Sequence, residues 1–233
     1  MTIYEENEFQ TLSPKTLSDQ FKEMPFEERI RVLYDIFDDE EVLFTSSFGT
    51  NSALLLHMVS RVRPTQKVYF INTRFHFAET LAYKAQLTAM LNLCVEEVTP
   101  SPHLHELAIH NRLWENHHNT CCYLSKVLPL EPLKARHKVW ISGLMAYQTP
   151  QRSKLNIFED ADIGDKLWKF SPILDMTEEE CLRYKKTHKL PPHPLECRGY
   201  GSVGCVHCTA KDAGRNGRWK GTDKTECGLH FSR

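Results

Sequence analysis

The chain has 233 residues, a formal net charge of -1, 41% hydrophobic and 25% charged residues, the balance of an ordinary globular chain with room for one substantial core. That charge excludes a uniformly basic nucleic-acid binder and gives no overall attraction to a membrane surface. No apolar run approaches the ~20 residues a bilayer requires and no export signal stands at the start, so a cytoplasmic protein with no nucleic-acid or membrane partner is expected.

Residues 1–40 read as a helical lead, in which PFEERIRVLYDIF (25–37) sets Ile30, Leu33, Tyr34 and Phe37 at helical spacing. EVLFTSSFG then reads as a buried strand running into a Ser/Gly turn, followed by NSALLLHMVSRV, a helix with Thr50 or Asn51 as N-cap. KVYFINT and FAETLAYKAQLTAMLN repeat the unit, and CVEEVTP is a third strand opened by Cys94, taken as a small buried hydrophobe like Cys181 further on. ENHHN at 115–119 reads as a polar loop, and HKVWISGLM (137–145) as a strand entering another loop. LWKFSPILDMTEEECLRYKKTH gives a short strand and a helix capped by Thr177. Repeated strand and helix predict an α/β fold with a doubly wound, mostly parallel sheet over residues 41–190. Residues 191–233 are rich in Pro, Gly and basic side chains and too poor in clustered apolar ones to fold on a core of their own.

Eight cysteines in a chain with no export signal point to metal or thiol chemistry rather than to a disulfide framework. Cys205-x-x-Cys208 presents two thiolates from one turn, as metal sites do. Cys121 and Cys122 are adjacent, and neighbouring side chains diverge on a regular element, which suits a body larger than one ion; two core cysteines beside an incidental C-x-x-C, four-thiolate zinc and a four-iron cluster are the readings, the Gly and Pro around the second pair weighing against the first and the cluster explaining the adjacent pair best. SSFGTNS (46–52), between the first strand and its helix, suits a phosphate or sulfate, because small residues turn backbone N–H groups inward at a helix N-terminus; it is no Walker loop. Lys211, Arg215, Arg218, Lys220 and Lys224 make the tail basic, and Lys126 follows Cys122 by four residues. In ECGLH, Cys227 stands nineteen residues from the nearest other thiol, with Gly228 freeing the backbone and His230 within reach, an arrangement for a reactive thiol rather than a fifth ligand. Cys197 is read as structural.

Taken together, SSFG, NTRFHFAET, CC with Lys126, RGYGSVGCVHCT, GRW and ECGLH resemble the assimilatory adenylyl sulfate (APS) reductases of the adenylyl/phosphoadenylyl sulfate reductase family, over nearly the whole chain from Glu41 to His230. The resemblance implies an adenine nucleotide alpha hydrolase-like nucleotide-binding domain over 41–190 and a cluster-anchored, flexible C-terminal segment over 191–233. It implies a [4Fe-4S] cluster on Cys121, Cys122, Cys205 and Cys208, with Cys227 as nucleophile and His230 beside it. Ser46, Ser47, Phe48, Gly49, Lys126, Gln148, Arg152, Arg215 and Arg218 match substrate-binding positions. The implied reaction reduces APS to sulfite and AMP through an S-sulfocysteine, with thioredoxin or a similar dithiol as reductant. The chain departs from the family pattern at Asn72, Arg74, Ser125, Met145 and Thr149.

Three alternatives stand beside this reading: reduction of 3'-phosphoadenylyl sulfate or of both nucleotides, an ATP pyrophosphatase, and a non-catalytic zinc or nucleic-acid module. Phe48 and Asn51 replace the Gly and Asp of the Ser-Gly-Gly-x-Asp-Ser loop that ATP pyrophosphatases show, and no aromatics interleave a basic face. Assembly into a homo-oligomer is compatible with the sequence.

Overall fold

The structure is a computed structural model that describes Phe9, residues 11–161 and residues 167–230. Ahead of the sheet lie α1 (Pro14–Lys22) and α2 (Phe26–Ile36), and α1 begins where the Ser13 hydroxyl accepts from the Thr16 N–H at 3.1 Å. The sheet then alternates with helices: β1 (Val42–Ser46), α3 (Ser52–Val62), β2 (Lys67–Ile71), α4 (Ala78–Leu91), β3 (Cys94–Val98), α5 (Pro102–His110), α6 (Leu113–Asn116), α7 (His118–Cys122), a π-helical turn (Tyr123–Val127) and α8 (Leu128–Lys134). Next come β4 (Val139–Ile141), β5 (Phe158–Asp160), β6 (Trp168–Phe170) and α9 (Glu178–Thr187).

The strands lie in the order β3-β2-β1-β4-β6-β5, all parallel except β5, which runs antiparallel to β6. Chain order reverses direction between β1 and β4. In such a sheet the loops leaving the carboxyl ends of those two strands part in opposite directions and leave a crevice, the usual place for a ligand.

Alternation along the inner strands buries both faces, as a parallel sheet requires. Val42, Phe44, Val68, Phe70, Val139 and Ile141 enter one core with residues of α1 to α4, among them Phe21, Leu33, Leu54 and Tyr83. Leu43, Tyr69, Ile71 and Trp140 enter the other, under Leu130 and Leu133 of α8. Helix α9 is closed at its start by a reciprocal capping box between Thr177 and Glu180.

Four local expectations change. Cys94 does open β3, but β3 is the outer strand with one neighbour, and the thiol is exposed rather than buried. ENHHN is two short helical turns meeting at His117 rather than a loop. Asn51 occupies the N-cap position of α3 without capping it; its side-chain oxygen accepts instead from Lys185 Nζ at 3.3 Å. Strand β5 had no counterpart in the sequence reading, because three residues at an antiparallel edge show no periodicity.

The segment after Leu190 has its own way of holding together. A Cβ on Gly201 would fall 2.3 Å from the Gly214 nitrogen, and one on Gly217 would fall 2.1 Å from the Ala210 carbonyl oxygen. Isolated bridges join Tyr200 to Asp212, Thr209 to Arg218 and, back to the sheet domain, Cys205 to His76. Cys205, Cys208 and Trp219 then pack with Phe75, Ala108, Leu113 and Cys121 in a third apolar cluster.

Candidate active site

The crevice is bounded by the loop after β1, the residues after β4, Lys126 and the folded-back C-terminal segment. In the first loop Phe48 takes a left-handed backbone (φ 47°), a conformation that a bulky residue adopts only under constraint. Two contacts impose it: the Phe48 N–H donates to Ser46 Oγ at 3.2 Å, and the Phe48 ring is fully buried, edge-on to Phe70 at 5.6 Å. Ser46, Ser47 and Gly49 therefore line the crevice while the Phe48 side chain faces the core. No side chain caps α3, which starts at the crevice and lends it positive N-terminal character. Gly49 is needed for the close approach of the C-terminal segment, since a Cβ there would lie 3.2 Å from the Val203 carbonyl oxygen.

Gln148 ends one 3-10 turn (Ala146–Gln148) after β4 and Arg152 opens the next (Arg152–Lys154), which brings both to the crevice, where Arg152 Nη1 donates to Gln148 Oε1. Lys126 comes from the π turn. Pro129 and Pro132 lack the N–H groups that would continue an α-helical ladder to Ser125 and Leu128, and the helix widens here, as helices often do at functional sites. Arg218 lies across Gly204, where a Cβ would stand 2.3 Å from Arg218 Nη2, and its guanidinium sits 4.5 Å from the centre of the Trp219 ring.

Cys227 reaches this group from the far end of the tail. Its Sγ stands 3.5 Å from Lys126 Nζ, and a Cβ on Gly228 would lie 3.3 Å from the Cys122 Cβ, so the backbone crosses directly over Cys122. The Cys227 thiol is held well below its ordinary value: the Cys122 thiol donates a hydrogen bond to it and, against burial, the Lys126 ammonium and the Arg218 guanidinium favour the thiolate. Burial also presses on Lys126, but the sulfurs of Cys205, Cys227 and Cys122 keep it protonated. His230 lies in the short turn Gly228–His230 that follows; its side chain lies outside the described residues.

Two residues that the sequence reading did not single out belong to the site. Glu226, 4% exposed, accepts from Arg152 Nε at 2.7 Å, Arg152 Nη2 at 2.8 Å, Arg215 Nη2 at 3.0 Å and the Thr149 hydroxyl at 3.1 Å. Burial pushes its carboxyl up, but hydrogen bonding and charge from Arg152, with Arg215, outweigh that and keep it ionised. Burial and the neighbouring Arg152 push Arg215 down to about 10. His76 lines the crevice with Nε2 against the Ile71 carbonyl oxygen at 3.1 Å, and burial lowers it to about 4, so it is neutral near pH 7.

The four cysteines singled out for a cluster are all buried, and no disulfide joins them. Cys121, Cys205 and Cys208 share the third apolar cluster. Burial, with the neighbouring Cys205, raises the thiols of Cys121 and Cys208, the latter to about 11. Cys122 faces Cys227 instead. Among the described residues no three His, Cys, Asp or Glu converge as one metal ion would need. A cluster asks for one thiolate per iron rather than four on a single centre, so four buried, unbridged thiols from two segments that meet here fit its donor chemistry. Cys197 lies apart and exposed, its Sγ 3.0 Å from the Pro194 carbonyl oxygen.

The departures from the family pattern also have places. Arg74 is left-handed (φ 61°) and exposed, its N–H held by Asn72 Oδ1 at 2.9 Å; the conformation is one that glycine adopts freely. Ser125 and Met145 are buried, and Thr149 holds Glu226.

Comparison with known proteins agrees with this architecture. The family described as the phosphoadenosine phosphosulfate reductase domain matches residues 41–211. Proteins named adenosine 5'-phosphosulfate reductase from Bacillus mycoides (strain KBAB4) and Bacillus cereus (strain AH187) are each 40% identical, over 82% and 83% of this chain and 85% of theirs. Among solved structures, a phosphoadenylyl-sulfate reductase from Candida auris in a phosphate complex matches with a TM-score of 0.73 at 22% identity, covering 85% of this chain and 98% of that one. An FMN adenylyltransferase from Candida glabrata matches with a TM-score of 0.55 at 13% identity, covering 85% and 73%, and shares the fold alone. With the family profile spanning most of the sheet domain and the first part of the C-terminal segment, the chain belongs to the phosphoadenosine phosphosulfate reductase family.

Proposed function

We propose that this chain reduces adenylyl sulfate to sulfite and AMP, with thioredoxin or a similar dithiol as reductant. One observation carries the reading: a thiol whose charged form is favoured stands 3.5 Å from the Lys126 ammonium, at a crevice lined by Ser46, Gly49, Arg152, Arg215 and Arg218. A nucleotide sulfate brings two anionic groups to that crevice. The Ser46–Gly49 loop and the start of α3 receive the phosphate, and Lys126 and Arg218 neutralise the sulfate and the charge that grows on the departing phosphate.

The Cys227 thiolate attacks the sulfur of the sulfate. The S–O bond to the phosphate breaks with its electron pair, AMP leaves, and Cys227 carries an S-sulfonate. A thiolate of the dithiol then attacks Cys227 Sγ, sulfite departs with the S–S electron pair, and the second thiol closes the reductant's disulfide while releasing the Cys227 thiolate. The two electrons come from the dithiol. Cys121, Cys122, Cys205 and Cys208 would hold the [4Fe-4S] cluster, which when bound supplies a fixed anchor for the tail and a local charge beside Lys126. The chain then divides into a helical lead (1–40), a nucleotide-binding domain (41–190) and a cluster-anchored segment bearing the nucleophile (191–233), and works in the cytoplasm.

Anaerobically purified protein given APS and thioredoxin is expected to release one sulfite per AMP. Sulfite formed only from 3'-phosphoadenylyl sulfate would favour that nucleotide, and AMP with pyrophosphate formed from ATP would favour an adenylating enzyme. In Gly204→Ala, the new methyl expels Arg218 from its seat over Trp219. Calorimetric titration with AMP is expected to show about tenfold weaker binding, the loss of one charged hydrogen bond; unchanged affinity would remove Arg218 from the anion site.

A further inference from the structure

Glu226 lies one residue before Cys227 and is more deeply buried than any other acidic side chain among the described residues, at 4%. A buried carboxylate is costly unless paired and fully hydrogen-bonded. Here four donors meet it: Arg152 Nε and Nη2, Arg215 Nη2 and the Thr149 hydroxyl. Arg152 spends its remaining outer nitrogen on Gln148. Thus the side chain that anchors the tail is held by arginines that also line the crevice. Arg215 keeps its Nε buried without a partner, so one donor on the clamp is left over.

We propose that Glu226 is a positioning residue, a carboxylate latch whose clamp by Arg152 and Arg215 docks the tail and sets Cys227 against Lys126. The proposal rests on the reading of Cys227 as nucleophile. The chain between latch and thiol is a single residue step, so fixing the Glu226 carboxylate fixes the Cys227 backbone. On the other side Gly228 lets the chain pass over Cys122 without a side chain of its own. The latch thus adds a directional anchor to the apolar packing of Cys227 and Leu229 against the clusters beneath them. A dithiol protein must reach Cys227 Sγ once sulfonated, which requires the carboxylate to leave its four donors. Both arginines then turn to the anion that remains in the crevice or to water, so docking and release are tied to what the crevice holds.

The test uses the full chain and two variants. Glu226→Gln keeps the shape and loses the charge, and Glu226→Asp keeps the charge but draws the carboxylate back by one methylene. Resting protein is treated with iodoacetamide, and modification of Cys227 is followed by mass spectrometry of its peptide, with exposed Cys197 as internal reference. Cys227 in Glu226→Gln is expected to react about tenfold faster than in the unaltered chain, the loss of a charge-assisted pair, and in Glu226→Asp by an intermediate factor, with Cys197 unchanged in both. Under turnover with APS and thioredoxin, kcat is expected to fall about tenfold in Glu226→Gln while KM moves less than about twofold, and Glu226→Asp recovers part of kcat. Cys227 reacting no faster than in the unaltered chain in whichever variant folds, or a loss confined to KM, would overturn the latch. Should the unaltered chain make no sulfite from APS, the proposed reaction fails while the alkylation measurement still decides the latch.

Discussion

Cys227→Ser protein is expected to form no measurable sulfite from APS and thioredoxin, a loss of at least about 10⁴-fold, the scale on which removal of a nucleophile acts. The Lys126 ammonium and the Arg218 guanidinium favour the ionised form of Cys227, but a serine hydroxyl is far too weak an acid for the same neighbours to ionise it near neutral pH. Nor can an oxygen at this position be cleared by a dithiol: the second step needs a sulfur that accepts a thiolate and releases sulfite. Mass spectrometry after APS alone should show a sulfonate on the peptide containing Cys227 in the unaltered chain and none in the variant, while AMP still binds. A Cys227→Ser protein that turns over would refute the assignment of the nucleophile.

Lys126→Met should slow sulfonation of Cys227 in a single turnover by about 10²- to 10³-fold, the range found when one donor aimed at developing charge is removed. The lysine stands 3.5 Å from Cys227 Sγ and also lines the crevice, so it touches both partners of the reaction. Methionine is close in length and apolar, which separates loss of charge from loss of packing. AMP affinity is expected to fall much less than the rate, because Arg218 and the Ser46–Gly49 loop remain. Sulfonation at the unaltered rate would assign Lys126 to the cysteine cluster alone.

The parallel sheet was legible because its inner strands are short apolar runs set between helical repeats; the buried alternation of Leu43, Phe44, Tyr69 and Phe70 is that pattern in three dimensions. Crevice residues on the loop after β1 could be placed for the same reason, since a doubly wound sheet fixes where such a loop opens. Local composition failed where the answer lay in distant partners. Cys94 looks like any strand cysteine until β3 proves to be the outer strand. Glu226 is one acid in a charged tail, and only the fold brings it to Arg152, 74 residues earlier. The one signal available was that it adjoins Cys227. Likewise Phe48 lies in an anion-loop motif, yet its ring serves the core and only its backbone shapes the loop.

The glycine contacts of the C-terminal segment bear on how substitutions there should be judged. Gly201 against Gly214, and Gly217 against Ala210, are close approaches of main chain to main chain in which the missing methyl is the fitting surface. Tolerance in this segment should then run against the usual order. Exchanges among its exposed lysines are expected to be mild, whereas the smallest chemical addition, glycine to alanine at Gly201 or Gly217, forces two backbones apart and draws Arg218, and through it the pocket, out of place. A polar, core-poor stretch is for that reason among the least mutable parts of the molecule.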